Sequence, residues 1–122
     1  MPVTESFLAF VLEQLDGVGP ITSKRMFGGV GLYAGDCFFA IMMNDTLYLK
    51  VDDESRGAYR AAGSRPFNPY PGRSGSMQYF EAPIAVLEDA DELTRWARKS
   101  IAVARAASTS GKRAVRPRSR RR

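Results

Sequence analysis

The sequence predicts an α+β domain of two layers, in which an antiparallel meander sheet is packed by helices. Three observations carry that reading. Apolar residues recur at one-and-four spacing near both ends of the chain, the stripe of an amphipathic helix. Between those ends lie short runs that alternate with period two or are wholly apolar, bounded by Gly, Pro, Asn and Asp. The early runs follow one another with no room for a crossover helix, so they must pair antiparallel. The resulting order is α-β-β-β-α-β(β)-α.

Thr4 is placed to cap the first helix, whose stripe is Phe7, Leu8, Val11, Leu12 and Leu15, and Gly17 is placed to end it. The segment Leu15-Asp16-Gly17-Val18-Gly19-Pro20-Ile21-Thr22 has the look of a helix-hairpin-helix turn. That motif needs a second helix at once, and a glycine-rich strand follows, so a helix-to-strand connection is expected. Arg25 to Tyr33 reads as one strand, with Met26, Gly28, Val30 and Leu32 towards the core and Phe27, Gly29, Gly31 and Tyr33 on the other face. Gly29 and Gly31 are expected to be structural, each lying where a side chain would meet a neighbour. A phosphate loop fits poorly, because Gly-Gly-x-Gly lacks the dinucleotide spacing and no helix follows to supply amides.

Ala34-Gly35-Asp36 forms a turn into Cys37–Met43, a run apolar on both faces. Asn44-Asp45 suits a two-residue hairpin, and Leu47, Leu49 and Val51 alternate with Tyr48 and Lys50 in the third strand. Asp52 is placed to cap a helix opened by Asp53 and Glu54 and closed by Gly63. Acids in a first turn answer the helix dipole and do not imply a metal. Residues 64–76, rich in Pro, Gly, Ser and Arg, form a loop pinned by Phe67 and Tyr70. Met77 to Ala82 is a short strand ended by Pro83. Asp89 or Asp91 caps a last helix that directs Leu93, Trp96, Ala97, Ile101 and Ala104 towards the sheet.

The chain of 122 residues allows a single domain, and 44% apolar residues suffice for its core. No apolar run approaches the roughly 20 residues of a membrane span, and the start lacks the pattern of a secretory signal. The single Cys37 has no partner for a disulfide and fits a reducing cytoplasm, the expected location. The chain has no histidine, which removes Ser-His and Cys-His nucleophiles and His-based metal sites. No enzyme activity, catalytic residue, cofactor or metal is expected.

The net charge of +5 hides a division. Residues 1–107 carry 11 Lys and Arg against 13 Asp and Glu, a net −2. Residues 108–122 hold seven cations and no acid: Lys112, Arg113, Arg116, Arg118, Arg120, Arg121 and Arg122. The organisation read from this is a domain over 1–107 and a disordered basic tail over 108–122. The seven cations are the candidate nucleic-acid-binding residues. Without aromatics among them, contact with DNA would be electrostatic and independent of sequence.

Several blocks together resemble the TfoX/Sxy N-terminal domain family. They are Arg25-Met26-Phe27-Gly28-Gly29-Val30-Gly31-Leu32-Tyr33, Phe38-Phe39-Ala40, Leu47-Tyr48-Leu49-Lys50-Val51-Asp52 and Phe67. Met77-Gln78-Tyr79-Phe80-Glu81-Ala82-Pro83, Leu87-Glu88-Asp89, Leu93 and Trp96-Ala97-Arg98 continue it, so the resemblance covers about residues 4 to 105. The resemblance implies a secretion-chaperone-like α+β fold, a homodimer, and a part in regulating bacterial competence beside a transcription regulator. It supplies no catalytic or cofactor residue. Full-length relatives carry a second, helix-hairpin-helix-like domain, where this sequence has its basic tail. The expected function is a non-enzymatic regulator with sequence-independent DNA contact. The other reading is a protein-interaction or dimerisation module with no nucleic-acid role.

Overall fold

A computed structural model describes residues 3–26, 28–68 and 76–115. Helix α1 spans Glu5–Gln14, and a single 3-10 turn over Asp16–Val18 leads into strand β1, Thr22–Met26. Strands β2 (Gly29–Ala34), β3 (Cys37–Met43) and β4 (Thr46–Lys50) follow, then α2 (Asp53–Ala61). Strands β5 (Pro66–Phe67) and β6 (Ser76–Glu81), a short α3 (Ile84–Leu87) and a long α4 (Ala90–Val115) complete the chain. All strand pairs are antiparallel, in the order β1-β2-β3-β4-β6-β5. The α+β class and the meander are as the sequence predicts.

Three elements differ from the sequence reading, one of them the short strand β5, which falls within the stretch 64–76 read as a loop. Arg25 to Tyr33 is a hairpin, not one strand, so four strands precede α2. The reversal passes through Gly28, whose φ of +80° is open to glycine at little cost. Met26 therefore pairs with Gly29 and shares its face, instead of joining Val30 and Leu32 in the core. The third difference is α3, a single turn after Pro83 that the spacing of apolar residues did not announce.

Local chemistry accounts for the other junctions. The Thr4 hydroxyl accepts the Phe7 amide at 3.2 Å, capping α1. Asn44 and Asp45 take φ values of 55° and 52°, the left-handed pair that a tight hairpin between β3 and β4 requires. At α2, the Asp52 carboxylate accepts the Ser55 amide at 2.8 Å while the Ser55 hydroxyl accepts the Asp52 amide at 3.0 Å. Asp89 caps α4 by accepting the amides of Asp91 and Glu92.

The core lies on one face of the sheet. Val30, Leu32, Ala40, Met42, Leu47, Leu49 and Phe80 point inward and are buried. A bulge in the β2–β3 pairing turns Phe39 inward as well. Each helix adds to the same cluster: Val11 from α1, Tyr59 from α2, Val86 from α3, and Leu93, Ala97, Ile101 and Ala104 from α4. With all four helices on that side, the opposite face has no helix over it among the described residues.

Candidate functional site

The inward-facing alternation dictates what the open face must hold. On β4, Leu47 and Leu49 go inward, so Tyr48 and Lys50 go outward. Lys50 stands opposite Tyr79 of β6, and Tyr48 opposite Glu81. Across the sheet, Lys24 of β1 lies opposite Gly31, and Tyr33 of β2 opposite Phe38 of β3. These side chains form one connected row. The Lys24 ammonium lies 5.3 Å from the Tyr33 ring centroid. Tyr33 stacks on Phe38 at 5.0 Å, and Phe38 meets Tyr79 at 6.0 Å. Lys50, on the strand between those of Phe38 and Tyr79, places its ammonium 4.9 Å from the Tyr79 centroid. A second aromatic pair, Tyr48 edge-on to Phe67 at 4.9 Å, lies on the same face.

Glycine makes room for this row. A Cβ on Gly31 would come within 2.7 Å of the Phe38 ring and 2.8 Å of the Met26 methyl. The bare backbone there is the seat on which Phe38 and Met26 rest. All three rings of the row are half-buried, and so is Lys50. Burial holds the Lys50 ammonium below its ordinary pKa. It pushes the Tyr79 hydroxyl up, with Tyr33 adding to the rise, and pushes up Tyr48, with Glu81 adding there. Arg65 offsets Glu81 across 3.7 Å. On the described strand residues of this face, the charges left over are the two lysines.

On the helical side, α2 and α4 enclose a cleft of about 330 Å³ lined by Glu54, Ser55, Ala58, Tyr59, Arg95, Trp96 and Lys99. Trp96 is half-buried and meets the edge of Tyr59 at 4.7 Å. Trp96, expected to face the sheet, packs against the core cluster, and Tyr59 in turn packs towards Phe80 of β6 at 6.0 Å. Lys99 reaches Glu54 across the cleft mouth at 3.3 Å. No group of His, Cys, Asp and Glu among the described residues could hold a metal ion. No helix among them is long and apolar enough to cross a membrane.

The sequence-derived cations are only partly placed. Helix α4 runs to Val115, past residue 107, so the backbone of Lys112 and Arg113 is helical. Arg116, Arg118, Arg120, Arg121 and Arg122 lie outside the described residues, as does Tyr70. Ala104 is buried, and Arg105, Ala106 and Ala107 after it are exposed. The helical backbone continues from there to Val115. Sequence reasoning missed the outer aromatic row. Its signal was present in the Tyr48/Lys50 and Tyr79/Glu81 alternation, but the partners sit on strands distant in sequence.

The helix-hairpin-helix look of Gly17–Gly19 resolves as expected into a connection to β1, and the Gly17 carbonyl accepts from Arg98 at 2.8 Å. Compared with known protein families, the chain matches the TfoX N-terminal domain over residues 13–104. No curated protein matches the chain.

Proposed function

The chain belongs to the TfoX N-terminal domain family, and from that premise we propose a non-enzymatic regulatory protein related to bacterial competence and transcription control. In this reading the body docks a protein partner such as a transcription regulator in the cytoplasm, and the basic segment touches DNA phosphates without reading sequence. The observation that carries it is the separation of charge. A body of net −2 over residues 1–107 is followed by seven cations and no acid, the first two on the helical backbone of α4. A cation cluster separated in sequence from the acids of the body offers duplex phosphates an attraction that the body's net charge lacks.

The test is anisotropy of a labelled duplex against salt. All seven cations engaged would give a log–log slope near −6, at about −0.9 per phosphate, and partial engagement gives a shallower one. Replacing the seven with Gln keeps the helix and should abolish binding to any duplex sequence. Deleting residues 108–122 should do the same. Unchanged binding by both variants refutes the tail reading.

The second reading, a protein-interaction or homodimerisation module with no nucleic-acid role, draws on the helix-free sheet face. Under it, neither variant changes the protein's behaviour towards its partner.

A further inference from the structure

We infer that the open sheet face is a binding platform for single-stranded nucleic acid, DNA and RNA alike, independent of the basic tail. The inference rests on the row Lys24–Tyr33–Phe38–Tyr79–Lys50, which alternates what such a strand needs. Flat rings supply stacking surface for bases, which is tolerant of sequence because every base has a π-face. The two lysines, one on β1 and one on β4, supply phosphate contacts. An antiparallel sheet with outward aromatics is also the geometry on which unpaired bases are splayed, two or three at a time.

Charge selects this occupant over the alternatives. Glu81 is answered by Arg65, which leaves Lys24 and Lys50 as the uncompensated charges on the described strand residues of this face. A second copy would bring two more ammonium groups to it, whereas a polyanion brings the opposite charge. Lys50 is half-buried, and its ammonium is partly stripped of water. A phosphate would restore its solvation. A duplex cannot use the rings, because its bases are stacked and paired. Because neither stacking nor phosphate contact reads a 2′-hydroxyl, DNA and RNA strands should bind alike.

The experiment uses the full chain with fluorescein-labelled dT15, rU15 and a 15-base-pair duplex, read by anisotropy. Tyr33→Leu and Tyr79→Leu keep apolar bulk but remove the ring, and each should weaken dT15 and rU15 about tenfold. Lys24→Glu changes an exposed side chain, leaves folding intact by circular dichroism, and should weaken both strands several-fold. None of the three should alter duplex binding. Three results would overturn the inference. One is unchanged dT15 affinity in all three variants. Another is equal competition by poly-glutamate, which makes the face a generic anion or acidic-peptide surface. The third is a dimer in sedimentation that Tyr33→Leu dissociates, which makes the face a self-interface. Loss of duplex binding on neutralising the tail, with dT15 binding retained, separates this platform from the tail.

Discussion

Replacing Gly29 with alanine should destabilise the domain more than the same change at either neighbouring glycine of the hairpin. An added Cβ would sit 2.4 Å from the Met42 carbonyl oxygen and 3.2 Å from the Met43 methyl. Ordinary contact begins near 3.4 Å, so the misfit is about 1 Å, and the obstacle is backbone. That carbonyl belongs to β3, which is held by β2 on one side and β4 on the other. Relief requires β2 to draw away, stretching ladder hydrogen bonds worth about 1 kcal/mol each. Overpacking of this kind costs about 1–3 kcal/mol, against a gain of about 0.4–1 kcal/mol from a stiffer unfolded chain. A backbone obstacle that cannot swing aside puts Gly29 at the upper end of the overpacking range, so the net is about 2 kcal/mol, a fall of roughly 10 °C in Tm for a domain this size. Gly29→Val goes further in the same direction. At Gly31 the obstacles are the Phe38 ring and the Met26 methyl, side chains that can yield, so alanine costs about 1 kcal/mol. At Gly28 nothing lies within 4 Å and only the positive φ is strained, again about 1 kcal/mol. Urea unfolding followed by fluorescence of Trp96, the single tryptophan, measures all three. An unchanged midpoint for Gly29→Ala, or a smaller loss than Gly28→Ala gives, would refute the close-approach argument.

Leu93→Ala, at a fully buried position, should cost about 2–5 kcal/mol by denaturant unfolding. Trp96→Ala should cost less, about 2 kcal/mol, because the ring is half-buried. A double-mutant cycle with Tyr59→Leu should return about 0.5–1.5 kcal/mol for the edge-to-face pair. The Ser55 amide and hydroxyl hold the Asp52 carboxylate below its ordinary pKa. Its contribution is therefore present above pH ~4 and lost as pH falls through the folded pKa. Asp52→Asn, which still caps, should flatten the acid limb of a Tm–pH profile, and an unaltered limb counts against the cap as its source. Burial pushes the Tyr59 hydroxyl up to about 12. A raised pKa stabilises fully below the unfolded value near 10 and is lost as pH rises through 12. Tyr59→Phe should remove that alkaline decline, as seen by circular dichroism between pH 9 and 12.

Much of the fold was legible because local and global signals agree. Thr4, Asp52 and Asp89 sit where caps belong, and each makes its capping bond. Leu47 and Leu49 alternate cleanly because one face of β4 is core. The hairpin turn at Gly28 was hidden because it sits among glycines that a strand with a bulge would also use. Only the observed φ at Gly28 distinguishes the two. For Trp96, helical spacing gives the core-facing side but not the neighbour it meets there, the Tyr59 ring of α2. The outer aromatic row was illegible for a related reason. Tyr33, Phe38 and Tyr79 are brought together by strand order, and β6 pairs with β4 only after α2 and the following loop have returned the chain. The cations of the tail are a reading of composition alone.

The link between Thr4 and Asp45 has a consequence for the order of folding. The Asp45 carboxylate accepts the Thr4 amide at 2.8 Å and the Thr4 hydroxyl at 3.1 Å, joining the start of α1 to the tip of the β3–β4 hairpin. Helix α1 is otherwise fastened by distant groups, as where Gln14 donates to the Leu87 carbonyl at 3.0 Å. Strands β1 to β4 close through neighbours in sequence and have little loop entropy to overcome. The N-terminal helix gains its fastenings only after hairpin and C-terminal layer exist, so it docks last during folding and detaches first in partial opening. Hydrogen exchange at the Thr4 amide therefore reports the docking equilibrium of the whole helix, and Asp45→Ala should accelerate it without touching exchange in β3.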